Sequence, residues 1–431
     1  MSMRRKTERC VAYSVVSLGS SRQLFLTGEP EEQYTCRDDT QGHGETVADY
    51  PRQIRNLLEN IFAVCKQEGF ADNAAMMCQF FMADIAKSEL VRSIASEIFP
   101  AEPGAVTFVP QPPASGKVIA VEVWAIADCC REKHQVNVTI PLPGQVTVVE
   151  FDGIRWFFGG NFRSEPIPVG AFARSLSAFE QLEKQLKKNN FKLDDTVRTW
   201  IYQGHLVLPE GNTLRYKELN RARTDFFAET KFLKKYLPAD YQGAVYPAST
   251  GIGTDCMDVV IGAVAIDSKR KDIIAVPLEN PNQTSAFEYA AVYSPQSPKF
   301  ARAMAVAFPA GTLIFISGTA SITNSESRYP EDPIRQTEQT LDNIAALISG
   351  TNLQSHGIDT RNIDGGQSGL ENLGSTRVYI KRSGDLEVVR RVCERRLKDV
   401  PIIYTIADVC RSELLVEIEG LAVITETVNK D

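Results

Sequence analysis

Nowhere in the 431 residues does an apolar run reach the roughly 18–20 positions that a membrane-spanning helix needs. The basic start, Met1 to Lys6, is not followed by the apolar core of a secretion signal. Excess positive charge is missing as well. Lys and Arg number 47 against 54 Asp and Glu, a formal net charge of −7, so a phosphate backbone is a poor fit as the main partner. The short run Lys184 to Lys188 reads as solvated surface. Histidine is scarce: His43, His134, His205 and His356 stand far apart, without metal-ligand spacing, and are assigned structural or surface roles. The nine cysteines are odd in number and contain no C-x-x-C, and Cys129 and Cys130 are adjacent. That pattern suits reduced thiols and excludes a zinc motif. No phosphate-binding glycine loop and no Ser-His-Asp order stands out. The expectation is a cytoplasmic protein without metal or organic cofactor, with no nucleic-acid or membrane partner.

What is present is ordinary globular composition, 43% hydrophobic and 23% charged, in a chain long enough for two to four domains. The most legible stretch runs from Thr312 to Ile348. Leu313 to Ile316 reads as a buried strand that breaks at Ser317-Gly318 and opens into a polar loop. A helix then starts at Pro333 with Asp332 as N-cap, and Leu341, Ile344, Ala345 and Ile348 form its apolar stripe. A strand that stops at a glycine and opens into Thr319, Ser321 and Asn324 offers backbone amides and hydroxyls to a small ligand.

The same order of strand, loop, long helix, strand, helix, strand, strand occurs three times. The leading strands end at Gly28, Gly160 and Gly318. Their helices are expected over Gln53–Glu68, Phe172–Asn190 and Ile334–Ile348. Gln53 and Asn60 in QIRNLLENI match Gln336 and Asn343 in QTEQTLDNI. The closing strands VEVWAI, IGAVAI and VEIEGLAV align Glu122, Gly262 and Glu419. Extra length in the third copy, Gly350 to Ser375, reads as an inserted surface loop. Three copies imply an α+β protein with boundaries near 1–130, 131–275 and 276–431. Each unit would be a mostly antiparallel sheet with two helices on one face. Strands such as LIFIS are apolar on both sides, so the other faces must also be covered. A ring around a pseudo-threefold axis does this, with ligand clefts between units; a linear string of units is the alternative.

SGTASI, QTEQTLDNI, VYIK and VEIEGLAVI resemble the Rid (YjgF-like) family, whose small chorismate-mutase-like subunits form trimers with clefts at the subunit interfaces. Residues from about 137 onward are similar to the chorismatases, themselves built from two Rid-like units. The matching stretches are VRTWIY, RYKELNRARTDFF, YPASTGIGT, ENPNQTSAFEY, SPKFARA and SGTASI. The resemblance implies an intramolecular pseudo-trimer that works as a monomer on a small carboxylate-bearing metabolite. Deaminating Rid enzymes place an arginine two residues after a proline, whereas the stretches here read Pro103-Gly104-Ala105, Pro247-Ala248-Ser249 and Pro401-Ile402-Ile403.

The resemblance also implies that the enol-pyruvyl group of chorismate, or of a similar cyclic carboxylate, is released by protonation from a cleft glutamate. Glu419 is the expected acid, with its pKa raised by burial, and Glu417 lies on the same strand face. Arg198, Arg221 and Arg223 are candidate carboxylate clamps, although helix geometry lets only one of the last two reach a given cleft. Tyr289 and the strand end Ser317, Gly318, Thr319, Ala320 and Ser321 are expected to line the pocket. A non-catalytic ligand-binding or scaffolding protein and a Rid-type imine hydrolase remain the alternatives.

Overall fold

The computed structural model describes residues 3–31, 50–70, 72–101, 103–129, 135–165, 169–289, 296–359 and 368–425. His43, Cys130 and His134 lie outside the described residues. The fold is mixed α+β, built on three six-stranded sheets over residues 4–128, 137–268 and 274–425. Within each sheet the strands, counted in chain order, lie side by side as 1-2-3-6-4-5. The fourth and fifth strands are parallel and every other pair is antiparallel. Each sheet opens with two strands that the repeat did not reveal, such as Arg4–Glu8 and Val11–Leu18 in the first. Arg4–Glu8 is a charged, mostly exposed edge, a common way to blunt a sheet margin, and it carries no apolar signal.

Helices cover one face of each sheet because their apolar stripes match it. Tyr50–Gln67 buries Ile54, Leu57, Leu58, Ile61 and Val64 in a core shared with Val11, Leu24 and Leu26. Pro333–Leu347 begins as the sequence suggests, with Pro333 in the first turn and the Asp332 side chain accepting from the Arg335 amide at 2.9 Å. Two local readings are corrected. The strand before it does not break at Ser317-Gly318. It runs Gly311–Ala320, with a register shift between Ile316 and Thr319 that absorbs the irregularity. The stretch after Gly350 is not simply a loop. Gly350–Ser355 is helical, Leu353 is buried, and the Asn352 side chain donates to the carbonyls of Leu347 and Glu279 at 2.7 and 3.1 Å.

The opposite faces of the three sheets pack into one aromatic-rich core. Trp124 of the first sheet meets Phe158 of the second edge-on at 4.9 Å and lies 6.1 Å from Phe315 of the third. Phe151 and Phe308 join the second and third sheets at 6.5 Å. Each pair of sheets is therefore in contact, and each such buried ring stabilises the association by roughly 1.5–3 kcal/mol. No helix among the described residues is long and apolar enough to cross a membrane.

Candidate active site

The last strand of the third sheet, Val416–Thr425, carries two carboxylates on one face, Glu417 and Glu419. Both are buried, 5% and 3% exposed, and the strand delivers them into different surroundings.

Glu419 enters the place where the three sheets converge. Its carboxylate accepts from Arg377 Nη1 at 2.7 Å, Trp200 Nε1 at 3.0 Å and Tyr379 Oη at 3.1 Å, and also from Arg198 and Thr250. Arg377 in turn pairs with Glu122 and donates to Tyr202 Oη at 3.0 Å. First-sheet Glu122, second-sheet Arg198, Trp200 and Tyr202, and third-sheet Arg377 and Tyr379 thus share one network. Burial works to raise the Glu419 pKa, but the charges of Arg198 and Arg377 outweigh it and hold the carboxyl below its ordinary value. The expected raised pKa of Glu419 is corrected accordingly. Two guanidiniums stabilise the ionised form.

Glu417 enters a cleft of about 650 Å³ between the second and third sheets. Burial first, and then the nearby Glu419 charge, push its carboxyl up to about 8, against the opposing pull of Arg198 and Arg302. That direction favours its protonated form at neutral pH. The remaining walls are strongly cationic. Helix Arg215–Phe227 supplies Tyr216, Lys217 and Arg223, the third unit supplies Arg302 and Arg411, and Glu413 is the other acid. Arg223 is fixed by Asn220 Oδ1 at 2.7 Å and lies 5.6 Å over the Phe300 ring. The Arg302 and Arg411 guanidiniums sit 5.4 and 5.3 Å from the Tyr289 ring centre, and Arg302 also donates to the Thr284 carbonyl at 2.8 Å. The Cys410 thiol lies in the same wall, pushed up to about 12 by burial and by Glu417. Gly318 leaves room for the Glu417 carboxyl, whose space a Cβ at this position would occupy. A protonated carboxyl facing several fixed cations can hold a polyanionic ligand and give a proton to it.

Arg223, Tyr289, Gly318 and Ala320 therefore line this cleft. Arg198 and Glu419 lie instead in the convergent network. Arg221 lies on the outer side of its helix, pairing with Glu218 and stacking 3.9 Å over Phe172. Ser317 is a structural bridge, donating to the Ala301 carbonyl at 2.6 Å and accepting from the Ser249 amide at 2.8 Å. Thr319 and Ser321 are buried and turn to the carbonyls of Ser317 and Arg328. Lys217, Arg302 and Arg411 were not singled out in the sequence. The SPKFARA stretch, which contains Arg302, was the available signal.

No family model matches the chain. A chorismatase of Streptomyces hygroscopicus is 35% identical over 181 residues, 41% of this chain and 49% of that one. A 3-hydroxybenzoate synthase of the same organism is 32% identical over 286 residues, 63% of this chain and 77% of its own length. A crystal structure of chorismatase superposes on 94% of this chain and 99% of its own, with 21% identity and a TM-score of 0.60. The chain belongs to the chorismatase family. It is accordingly an enzyme, and the chorismatase fold extends over nearly all of it. The structure of the YjgF gene product of E. coli matches 34% of this chain and 97% of its own, with 19% identity and a TM-score of 0.22.

Proposed function

We propose that the enzyme converts chorismate, with Glu417 as the general acid in the cleft between the second and third sheets. Chorismate carries two carboxylates and an enol ether. The cleft's cations suit the carboxylates, with Arg223 on one wall and Arg302 and Arg411 on the other. Transfer of the Glu417 proton to the enol methylene carbon forms a C–H bond and leaves an oxocarbenium centre. Water adds to that centre and loses a proton, and the resulting hemiketal collapses with cleavage of its bond to the ring oxygen, which takes up a proton, releasing pyruvate and the ring diol. The ionised Glu417 then regains a proton from solvent. The observation that carries the reading is a buried carboxyl placed among Arg223, Arg302 and Arg411 in a cleft of ligand size, where burial pushes its pKa up. The pairwise contacts among three sheets of identical strand order support a pseudo-threefold ring in a monomer. On that reading the first unit closes the ring and lends no side chain to the cleft.

The test is incubation of purified protein with chorismate, following pyruvate and the ring products. Turnover in the wild type that is lost in Glu417→Gln is the expected result. Turnover that survives this change would overturn Glu417 as the acid. No conversion of chorismate by folded protein would overturn the substrate.

A further inference from the structure

Beside the catalytic cleft lies a second pocket of about 400 Å³. Its charged lining side chains are Lys231, Lys234 and Lys299, and among the described residues no carboxylate lines it. None of the three lysines takes part in an ion pair among the described residues, unlike the neighbouring Lys235, which pairs with Asp195 and Asp267. Phe227, Phe232 and Tyr246 are the aromatic members of the lining, beside Leu237 and Val245. Phe227 meets Phe232 edge-on at 4.9 Å, Phe232 lies 6.4 Å from Tyr246, and Tyr246 lies 5.5 Å from Phe287. Lys299 Nζ stands 5.8 Å over the Tyr246 ring.

We propose that this pocket is a second binding site that takes a small aromatic carboxylate. The ring would lie against Phe227, Phe232 and Tyr246, and the carboxylate would be held by the ammonium groups. Unneutralised cations in a partly enclosed pocket favour an anion, and the apolar walls favour one that carries a ring over a bare inorganic ion. Lys299 adds support, since burial and the charge of Arg223 both work against its ammonium form and a bound carboxylate would relieve both. The two sites share one wall. Pro298 and Phe300 line the catalytic cleft, while Lys299 between them lines this pocket. The Ser297 hydroxyl anchors that strip to the Phe287 carbonyl at 2.6 Å. The ring diol released by the proposed reaction is a cyclohexadiene carboxylate, and loss of one water from it gives an aromatic carboxylate of this ligand class. The natural ligand therefore rests on that reading, whereas the site itself does not.

The test uses benzoate as probe and equilibrium dialysis on the full chain. Arg302→Gln is introduced first to weaken binding in the catalytic cleft. Saturable benzoate binding should persist in that variant. It should then weaken about tenfold or more when Lys231, Lys234 and Lys299 are also changed to Gln, with an unchanged circular-dichroism spectrum. Unchanged binding after the lysine changes would overturn the site, as would no saturable binding of benzoate at about 10 mM. Acetate binding as tightly as benzoate would overturn the aromatic part. Chorismate turnover measured on the wild type separates the two proposals, since benzoate binding without turnover would overturn the catalytic reading alone.

Discussion

Glu417 and Glu419 stand two residues apart on one strand face, yet one carboxyl is pushed up to about 8 and the other is held below its ordinary value. The difference comes from what each faces. Arg198 and Arg377 bond directly to Glu419, whereas Glu417 accepts no hydrogen bond from another side chain among the described residues. Exchanging each carboxyl for an amide should therefore give opposite signatures.

Glu417→Gln should lower kcat/KM for chorismate by about 10²–10⁴-fold, the usual loss for a removed general acid. Stability should not fall at neutral pH. A carboxyl with a raised folded pKa opposes folding once the unfolded chain would ionise it, and the neutral amide escapes that cost. Steady-state kinetics and thermal melts check both halves.

Glu419→Gln should act first on the fold. It leaves Arg198 and Arg377 without their shared counter-charge, a loss of about 3–5 kcal/mol for a buried pair. The melting temperature should fall well below that of Glu417→Gln. In the wild type the Glu419 contribution is present above the ordinary carboxylate pKa. It is lost as pH falls through the depressed folded value, so melts on the acid side should show the difference between wild type and variant shrinking.

The pH–rate profile of the wild type should fall on the alkaline side, because only protonated Glu417 can donate. kcat/KM should decline as pH rises through about 8. A rate that rises through this range would mean that a base, not this acid, limits the reaction.

Gly318→Ala should damage catalysis with little effect on strand formation, since its Cβ would displace the Glu417 carboxyl. Arg302→Gln should raise KM by about 10–100-fold, from the 1.5–3 kcal/mol of a charged hydrogen bond. Arg221→Ala, on the outer side of its helix, should leave both constants near wild type.

The fold was legible because backbone patterning repeats. QIRNLLENI and QTEQTLDNI bury the same helix faces, and the strands that carry Gly28, Gly160 and Gly318 occupy the same third position in every sheet. The acid was harder to read for the same reason. Glu122 and Glu419 match between copies, and both lie in the convergent network, so the repeated residue serves the shared architecture. Glu417 has no such match, because Ala120 and Val260 stand two residues before Glu122 and Gly262. Arg302 and Arg411 are invisible to periodicity, since their convergence on Tyr289 depends on how distant segments meet.

The Glu122–Arg377 pair ties a residue that contributes nothing to the cleft to the strand neighbour of Glu419. The three units are consequently not interchangeable modules. Cutting away residues 1–130 would strip Arg377 of one counter-ion and uncover Trp200 and Phe315 beside it. Two halves of the chain, expressed apart, should not reassemble an active enzyme unless the missing piece is supplied in trans. Heredity is constrained in the same way. A substitution at Glu122 should be tolerated only with a matching change at Arg377 on the third sheet, so this pair should drift together or not at all.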